Sequence, residues 1–388
     1  MARWRSRLVG LRVVSSTAAA LAVGLCTLSA PRSAAAEPIY TVVDLGTLGG
    51  DRSDGYGINA SGQVTGSAYL PTNAEFHAFR YADGASLLDL GALGGSRSVG
   101  FGINDSGQVT GYSYVTGDAA LRAFRYTDGE PLLDLGTLGG SFSQGEGINA
   151  SGQIAGAAST AGDAAIRAFR YTDGAPLLDL GTLGGNYSFG TDINAGGQVT
   201  GYSRTTGDAQ LHAFRYTDGL PLLDLGTLGG ADSYGQAIND SGQVTGFSLT
   251  ASNQFHAFLY TDGAPLLDLG TLGGNRSVGY GINASGDVVG TSRTTAADEH
   301  AFLHDGTAMY DLNDLLVPGS GWTLYEAFGI NGAGQIVATG VDTFGVRHAL
   351  RLDPINVETV PDESSAALLF GLGLLATVSL HRRARTRR

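Results

Sequence analysis

The sequence predicts an all-β fold: a seven-bladed β-propeller of four-stranded antiparallel blades, closed by pairing the N-terminal and C-terminal strands. Three observations carry that expectation. An Asp-Leu element recurs at Asp44, Asp89, Asp134, Asp179, Asp224, Asp268 and Asp311, and a period of about 45 residues is the length of one propeller blade. An Ile-Asn element recurs in step at Asn59, Asn104, Asn149, Asn194, Asn239, Asn283 and Asn331, so a complete unit repeats rather than one motif. Each unit holds four short apolar or alternating runs, such as Tyr56 to Asn59, Gln63 to Ser67, His77 to Tyr81 and Leu87 to Leu90, the strand count of a blade.

The connections alternate in character. Asn59-Ala60-Ser61-Gly62 places a side-chain acceptor first and a glycine where a positive φ is needed, and Asp83-Gly84 suits a primed hairpin turn. The other two, exemplified by Gly91 to Val99 and Ser113 to Ala120, are longer. In a meander of four strands alternate connections emerge on one face, so the tight turns share one face and the long loops the other. Across the outer hairpin, Phe79 and Tyr81 are expected to share a face with Leu88 and Leu90, leaving Arg80 and Asp89 opposite. Phe124, Phe169, Phe214, Phe258 and Phe302 then read as inter-blade core. The domain opens with an Asp-Leu strand, Tyr40 to Leu45, and ends with a third strand, His348 to Leu352. Together these complete one blade, the N-terminal strand taking its outer edge and leaving no free end.

The ends lie outside this repeat. Arg3, Arg5, Arg7 and Arg12 precede an apolar run from Val13 to Leu28 and the small residues Ala34-Ala35-Ala36, the order of a secretory signal over 1–36 with cleavage before Glu37. The only cysteine, Cys26, departs with it. The propeller is expected over 37–353, a linker and sorting motif over 354–363, and a hydrophobic segment with a basic tail over 364–388. Between Glu37 and Pro361 there are 13 Arg against 34 Asp and Glu, a formal charge of −21. That balance disfavours the phosphate-tracking surface of a nucleic-acid binder.

The consensus Leu-Gly-Gly, Gly-Ile-Asn, Gly-Gln-Val-Thr-Gly, His-Ala-Phe-Arg-Tyr and Asp-Leu-Gly, running from about Thr41 to Leu352, resembles the HAF repeat family of probable extracellular proteins. Arg122 and Arg167 replace the motif histidine, Leu350 replaces its phenylalanine, and the last unit has an insertion around Pro318 to Trp322. The tail, Val360-Pro361-Asp362-Glu363-Ser364 followed by the apolar run Ala366 to Leu380 and five arginines, resembles the sorting signals of PEP-CTERM and VPDSG-CTERM type. Glu363-Ser364 departs from the usual Ser-Gly. These resemblances imply secretion to the cell surface or extracellular matrix of a bacterium and handling by an exosortase. They also imply transient or permanent membrane anchoring through the tail, and an exopolysaccharide setting.

Candidate chemistry is sparse. His77, His212, His256, His300 and His348 occupy equivalent positions and are spread around a ring, where they cannot converge at the ~2 Å distances of a zinc site; no metal and no cofactor is expected. The repeated Asp residues read as structural caps accepting loop N–H groups. The Asn-Asp-Ser-Gly variants at Asn104 and Asn239 lack the alternating ligands of a calcium loop, and the glycine pairs lack a P-loop lysine. The most individual surface lies at aligned positions before a recurring serine: Arg52, Arg97, Phe142, Tyr187, Asp232 and Arg276. Their mixture of Arg and aromatic groups suits a sugar or acidic polysaccharide. The expected function is therefore a binding or scaffold module for polysaccharide or another envelope component, not an enzyme, with no catalytic residues assigned. A glycan-processing enzyme would need an asymmetric carboxylate cluster, which is not apparent; Trp322 and Tyr325 are the nearest asymmetric features. A purely structural matrix protein is the remaining alternative.

Overall fold

A computed structural model describes residues 39–355, and they form four-stranded antiparallel sheets with almost no helix. The signal segment, the sorting motif and the apolar tail lie outside the described residues. In a representative unit the strands Gly184–Ile193, Val199–Thr205, Leu211–Tyr216 and Leu223–Asp224 pair in sequence order. The last sheet combines Trp322–Ile330, Ile336–Asp342 and Arg347–Ile355 with the N-terminal strand Ile39–Asp44 as its outer member. That pairing runs antiparallel from Ile39↔Ile355 to Asp44↔Leu350, and it carries the sheet past the expected boundary at 353. Adjacent units are arranged as a β-propeller around a cavity lined by the first strand of each.

Three sequence expectations change. The Gly-rich stretch after Gly91 is not loop throughout: the first strand of its unit begins at Gly94 and runs to Ile103, with irregularities between Gly94 and Ser98 and between Gly100 and Gly102. These irregularities let a Gly-rich segment stay paired while twisting toward the axis. The outer hairpin pairs Phe79 with Asp89 and Arg80 with Leu88, so Phe79 shares its face with Asp89, one residue off the expected register. Alternation could not decide this, because Leu88 and Asp89 of the short outer strand are both exposed and no buried face singles out either. Phe79 packs toward the preceding sheet with Val337 and Ala349, whereas Ala78 and Leu90 pack toward the next with Ile103 and Phe124. Gly84 has φ +74°, but Asp83 does not share the left-handed region, so that turn is not of type I′.

Local sequence explains the strand contacts. At Gly201 of the Val-Thr-Gly element, a Cβ would lie 1.9 Å from the Phe189 carbonyl oxygen, so only glycine lets the second strand pass the bulged first strand.

The apolar cores lie between sheets. Phe79, Phe124, Phe169, Phe214, Phe258 and Phe302 are fully buried, each in a cluster drawn from two successive units, as in Ala155, Ala168 and Leu180 with Ile193, Val199 and Phe214. Polar stitches accompany them. Ser188 Oγ donates to the Gly181 carbonyl at 2.6 Å and accepts from Ala168 N of the preceding unit at 2.9 Å. Asn149 Nδ2 donates to the Asn194 carbonyl of the next unit at 3.1 Å. Arg170 reaches the next unit's Gly197 carbonyl at 3.1 Å and Asp218 at 3.0 Å, with its guanidinium over the Tyr216 ring.

Two substitutions test this division of labour. Phe169→Ala is expected to cost about 3–5 kcal/mol through a buried cavity. Asn149→Ala, which orphans several partners, is expected to cost about 1–3 kcal/mol. Asn283→Ala should cost less than Asn149→Ala, because Asn283 Nδ2 bonds only within its own unit, to Asp287. Denaturant midpoints give the ranking, and equal losses at Asn149 and Asn283 would refute the inter-sheet role.

Candidate functional site

The repeated polar residues are engaged by the fold. His77 Nδ1 meets Asp89 at 2.8 Å, and the same pair recurs at His212–Asp224, His256–Asp268, His300–Asp311 and His348–Asp44. Where arginine replaces the histidine, Arg122 and Arg167 still face Asp134 and Asp179 at 4.0 and 3.9 Å. Each Asp also accepts a loop N–H, as Asp89 does from Gly91 at 2.8 Å. Partial burial works against its ionisation, but the bonds from His77 and Gly91 win and hold its carboxyl below the usual range. These caps are less buried than expected, Asp89 being 42 % exposed. Asp105 and Asp240 of the Asn-Asp-Ser-Gly turns accept Ala60 N and Ala195 N of the preceding units, an inter-unit role. Among the described residues no cluster of three potential metal ligands occurs.

The six residues singled out by sequence stand at equivalent places on the first strand or just before it, and each has a local partner. Arg52 bonds Asp54 at 2.9 Å, and Arg276 lies 3.3 Å from Glu299. Arg97 stacks over Phe76, and the Tyr187 ring lies 6.1 Å from Tyr202. Asp232 accepts from Leu211 N, and Phe142 N donates to Ser159 Oγ. None of the six lines the cavity at the centre of the first strands. That cavity, of about 490 Å³, is lined four residues further along the same strands by Tyr56, Phe101, Glu146, Thr191, Gln236 and Tyr280, with Phe328 from the last unit. Trp322 and Tyr325 are not in it: Trp322 packs on the core beside the His348 ring, and the Tyr325 carbonyl accepts from Thr291 Oγ1 at 2.8 Å.

The cavity is two-sided. On one side Tyr280, Phe328, Tyr56 and Phe101 come from adjoining units, with successive ring centroids 5.1, 5.1 and 5.3 Å apart. On the other stand Glu146, Thr191, Asp192 and Gln236, with the stacked rings of Phe189 and Tyr202 among them. Asp192 spans units, accepting from Ile193 N at 2.8 Å and Ile238 N at 2.9 Å. Burial pushes Asp192 up to about 7 against those two bonds. It pushes Glu146 up to about 8, with Gln144 opposing and the charge of Asp192 adding. At neutral pH Glu146 is therefore a neutral acid able to donate a hydrogen bond. Burial likewise pushes the Tyr56 and Tyr280 hydroxyls up to about 12, so both remain protonated. This is the asymmetric carboxylate pair that sequence reading did not find. The signal was present, since the residue between the glycines of the Gly-x-Gly-Ile-Asn element is the one that changes, as in Gly145-Glu146-Gly147.

No family model and no curated protein matches the chain. Solved structures do match. TolB from Acinetobacter baumannii is 12 % identical, with 76 % of this chain and 64 % of that one covered and a TM-score of 0.46. The chain thus spans about 64 % of TolB's length. The β-propeller domain of the Trilobed protease from Pyrococcus furiosus is 8 % identical, covering 83 % and 100 % at a TM-score of 0.48. The BP39L lectin from Burkholderia pseudomallei is 7 % identical, covering 82 % and 98 % at a TM-score of 0.44. Likenesses this distant carry no information about ligand or activity.

The raised carboxyl has a signature in stability. Between pH 4.5, where a free Glu titrates, and about 8, where Glu146 does, the folded state holds a proton that the unfolded state has released. Stability therefore falls as pH rises through that window. Glu146→Gln removes this slope, so its melting temperature should rise relative to the native chain between about pH 5 and 8. Parallel profiles for the two proteins would show that Glu146 ionises normally.

Proposed function

We propose that the chain is an exported, closed, seven-bladed propeller of HAF-repeat type that serves as a binding or scaffold module at a bacterial cell surface or in its matrix, with polysaccharide as its partner. One observation carries the reading. The side chains that repeat hold sheet to sheet, while the variable residues Tyr56, Phe101, Glu146, Thr191, Gln236, Tyr280 and Phe328 share one open cavity. A protein kept only for its architecture has no need of a two-sided aromatic and acidic cavity. Closure is supported by the pairing of the N-terminal strand and by stitches that cross the chain ends in the same form as elsewhere. Asn331 Nδ2 donates to the Asn59 carbonyl, Ala349 N to Ser53 Oγ, and Arg351 to the Gly62 carbonyl and Asp83.

Export rests on the N-terminal signal pattern and retention at the surface on the C-terminal tail. Both lie outside the described residues, among which no helix is long and apolar enough to cross a membrane. The carboxylate pair favours a second reading, glycan processing, because a carboxyl held protonated at neutral pH is the acid that glycoside cleavage needs. Asp192 argues against it, since both of its oxygens already accept backbone N–H groups and are poorly placed to attack or activate water.

Incubation of the purified exported protein with a panel of matrix polysaccharides, scoring both retention and released products, separates the readings. Saturable retention without products is expected. Product release would establish an enzyme, and the absence of both would leave a structural matrix protein.

A further inference from the structure

We propose that the cavity on the long-loop side of the ring binds one neutral pyranose unit of a glycan per chain, its C–H face on the Tyr280–Phe328–Tyr56–Phe101 wall and its hydroxyls on Glu146 and Gln236. The inference rests on the binding reading above and names the site and the chemistry of its ligand. It departs from what near-identical blades imply, which is a set of equivalent weak sites acting by avidity.

The asymmetry is built by coupled changes at two positions of the first strand. Three of the four units with an aromatic residue on the wall carry Arg four residues earlier, Arg52 with Tyr56, Arg97 with Phe101 and Arg276 with Tyr280, while the Phe328 unit has Leu324 there. The other three pair Phe142 with Glu146, Tyr187 with Thr191 and Asp232 with Gln236. The two kinds are not interspersed. Wall units follow one another around the ring through Phe328, as the chain of ring contacts shows. One composite pocket results, with an apolar curved side and a polar side.

The ligand class follows from what each side has free. Around the wall, Arg52 and Arg347 both pair with Asp54, and Arg276 and Arg293 both pair with Glu299. None of these guanidinium groups lines the cavity, whose lining carries the carboxyls Glu146 and Asp192 and no basic side chain, so it does not present an anion site. On the polar side, Thr191 Oγ1 donates to the Gly235 carbonyl and Asp192 accepts two backbone N–H groups. Glu146 accepts from Gln144 and keeps a second oxygen, and Gln236, two units further along the chain, lines the same cavity. A wholly apolar ligand would strand these groups without partners. A trimethylammonium head would fill only a small part of 490 Å³, a volume in the range of pockets for small organic ligands. A pyranose has both required surfaces, an axial C–H face that packs on rings and a rim of hydroxyls that both donate and accept.

The test is calorimetric titration of the exported chain with methyl glycosides and trisaccharides of neutral hexoses, with glucuronic acid, choline and adenosine as competing chemistries. A neutral glycoside should bind with a stoichiometry of one. Phe101→Ala should weaken it roughly tenfold or more, the scale of losing one aromatic stacking face, and Gln236→Ala should weaken it as well. Arg97→Ala should leave affinity unchanged within about twofold, a difference well below 1 kcal/mol. Gln236 is polar and half-buried, so its variant keeps the test valid should Phe101→Ala misfold. Several glycosides per chain, or losses at Arg97 and Tyr187 with none at Phe101 and Gln236, would overturn the axial site and leave the binding reading intact. Preference for glucuronate, choline or adenosine would overturn the ligand class. Absence of glycoside binding, in a protein that also fails to retain polysaccharide, would overturn both.

Discussion

The asparagine that ends each first strand is the point on which the structure turns. Its side-chain amide is satisfied on every side. Asn149 Oδ1 accepts from Ser151 N and Gln153 N, while Nδ2 donates to Gln153 Oε1 and to the Asn194 carbonyl of the next unit. The first three bonds shape the tight turn, and the fourth fixes the next sheet at a set distance and angle. A single blade cannot bury its two apolar faces alone, so stability comes from the interface between units. The apolar clusters supply the driving force, but they are non-directional. The asparagine, serine and arginine stitches supply the direction.

One seam is made differently. Asn283 does not reach Asn331, and Leu303, like Leu259 one unit earlier, stands where the remaining units carry the stitching arginine. There the union is mainly apolar, in the cluster that gathers Val289, Leu303 and Leu312 with Leu324, Ile336 and Leu350. Thr291 Oγ1 on the Tyr325 carbonyl and Asn313 on Leu324 supply the polar contacts. Tyr40 of the N-terminal strand exchanges backbone bonds with Leu315 and Val317 on the same seam. The insertion around Pro318 to Trp322 thus follows directly on the segment that pairs with Tyr40 of the N-terminal strand, and its individuality is architectural.

Assigning side chains to stitches separates structure from recognition. Histidine and aspartate of the motifs hold the outer hairpins, phenylalanine fills the seams, and serine and asparagine set the spacing. Among the variable positions, those from Tyr56 to Phe328 on the first strands line the cavity. Substituting there changes what the cavity presents without disturbing a seam, which is how near-identical units can build one non-repeating pocket.

The fold class was legible because repetition is a one-dimensional property: period, strand count and the leftover strands at each end are all read along the chain. The buried phenylalanines and the Asp caps were legible for the same reason. The register of the outer hairpin was not, because its outer strand is exposed at both Leu88 and Asp89, so no buried face shows which of them pairs with Phe79. The variable positions Arg52 to Arg276 were expected among the long loops, whereas they lie on the first strand or just before it, four residues short of the cavity. Glu146 sits between two glycines and looks like turn filler until the strand around it is known to continue past its bulge to the axis. Composition and period determined the architecture by themselves. Only the tertiary structure decided which variable residues converge, since Glu146, Gln236 and Tyr280 become neighbours of one cavity through curvature accumulated over whole units, and no single unit encodes it.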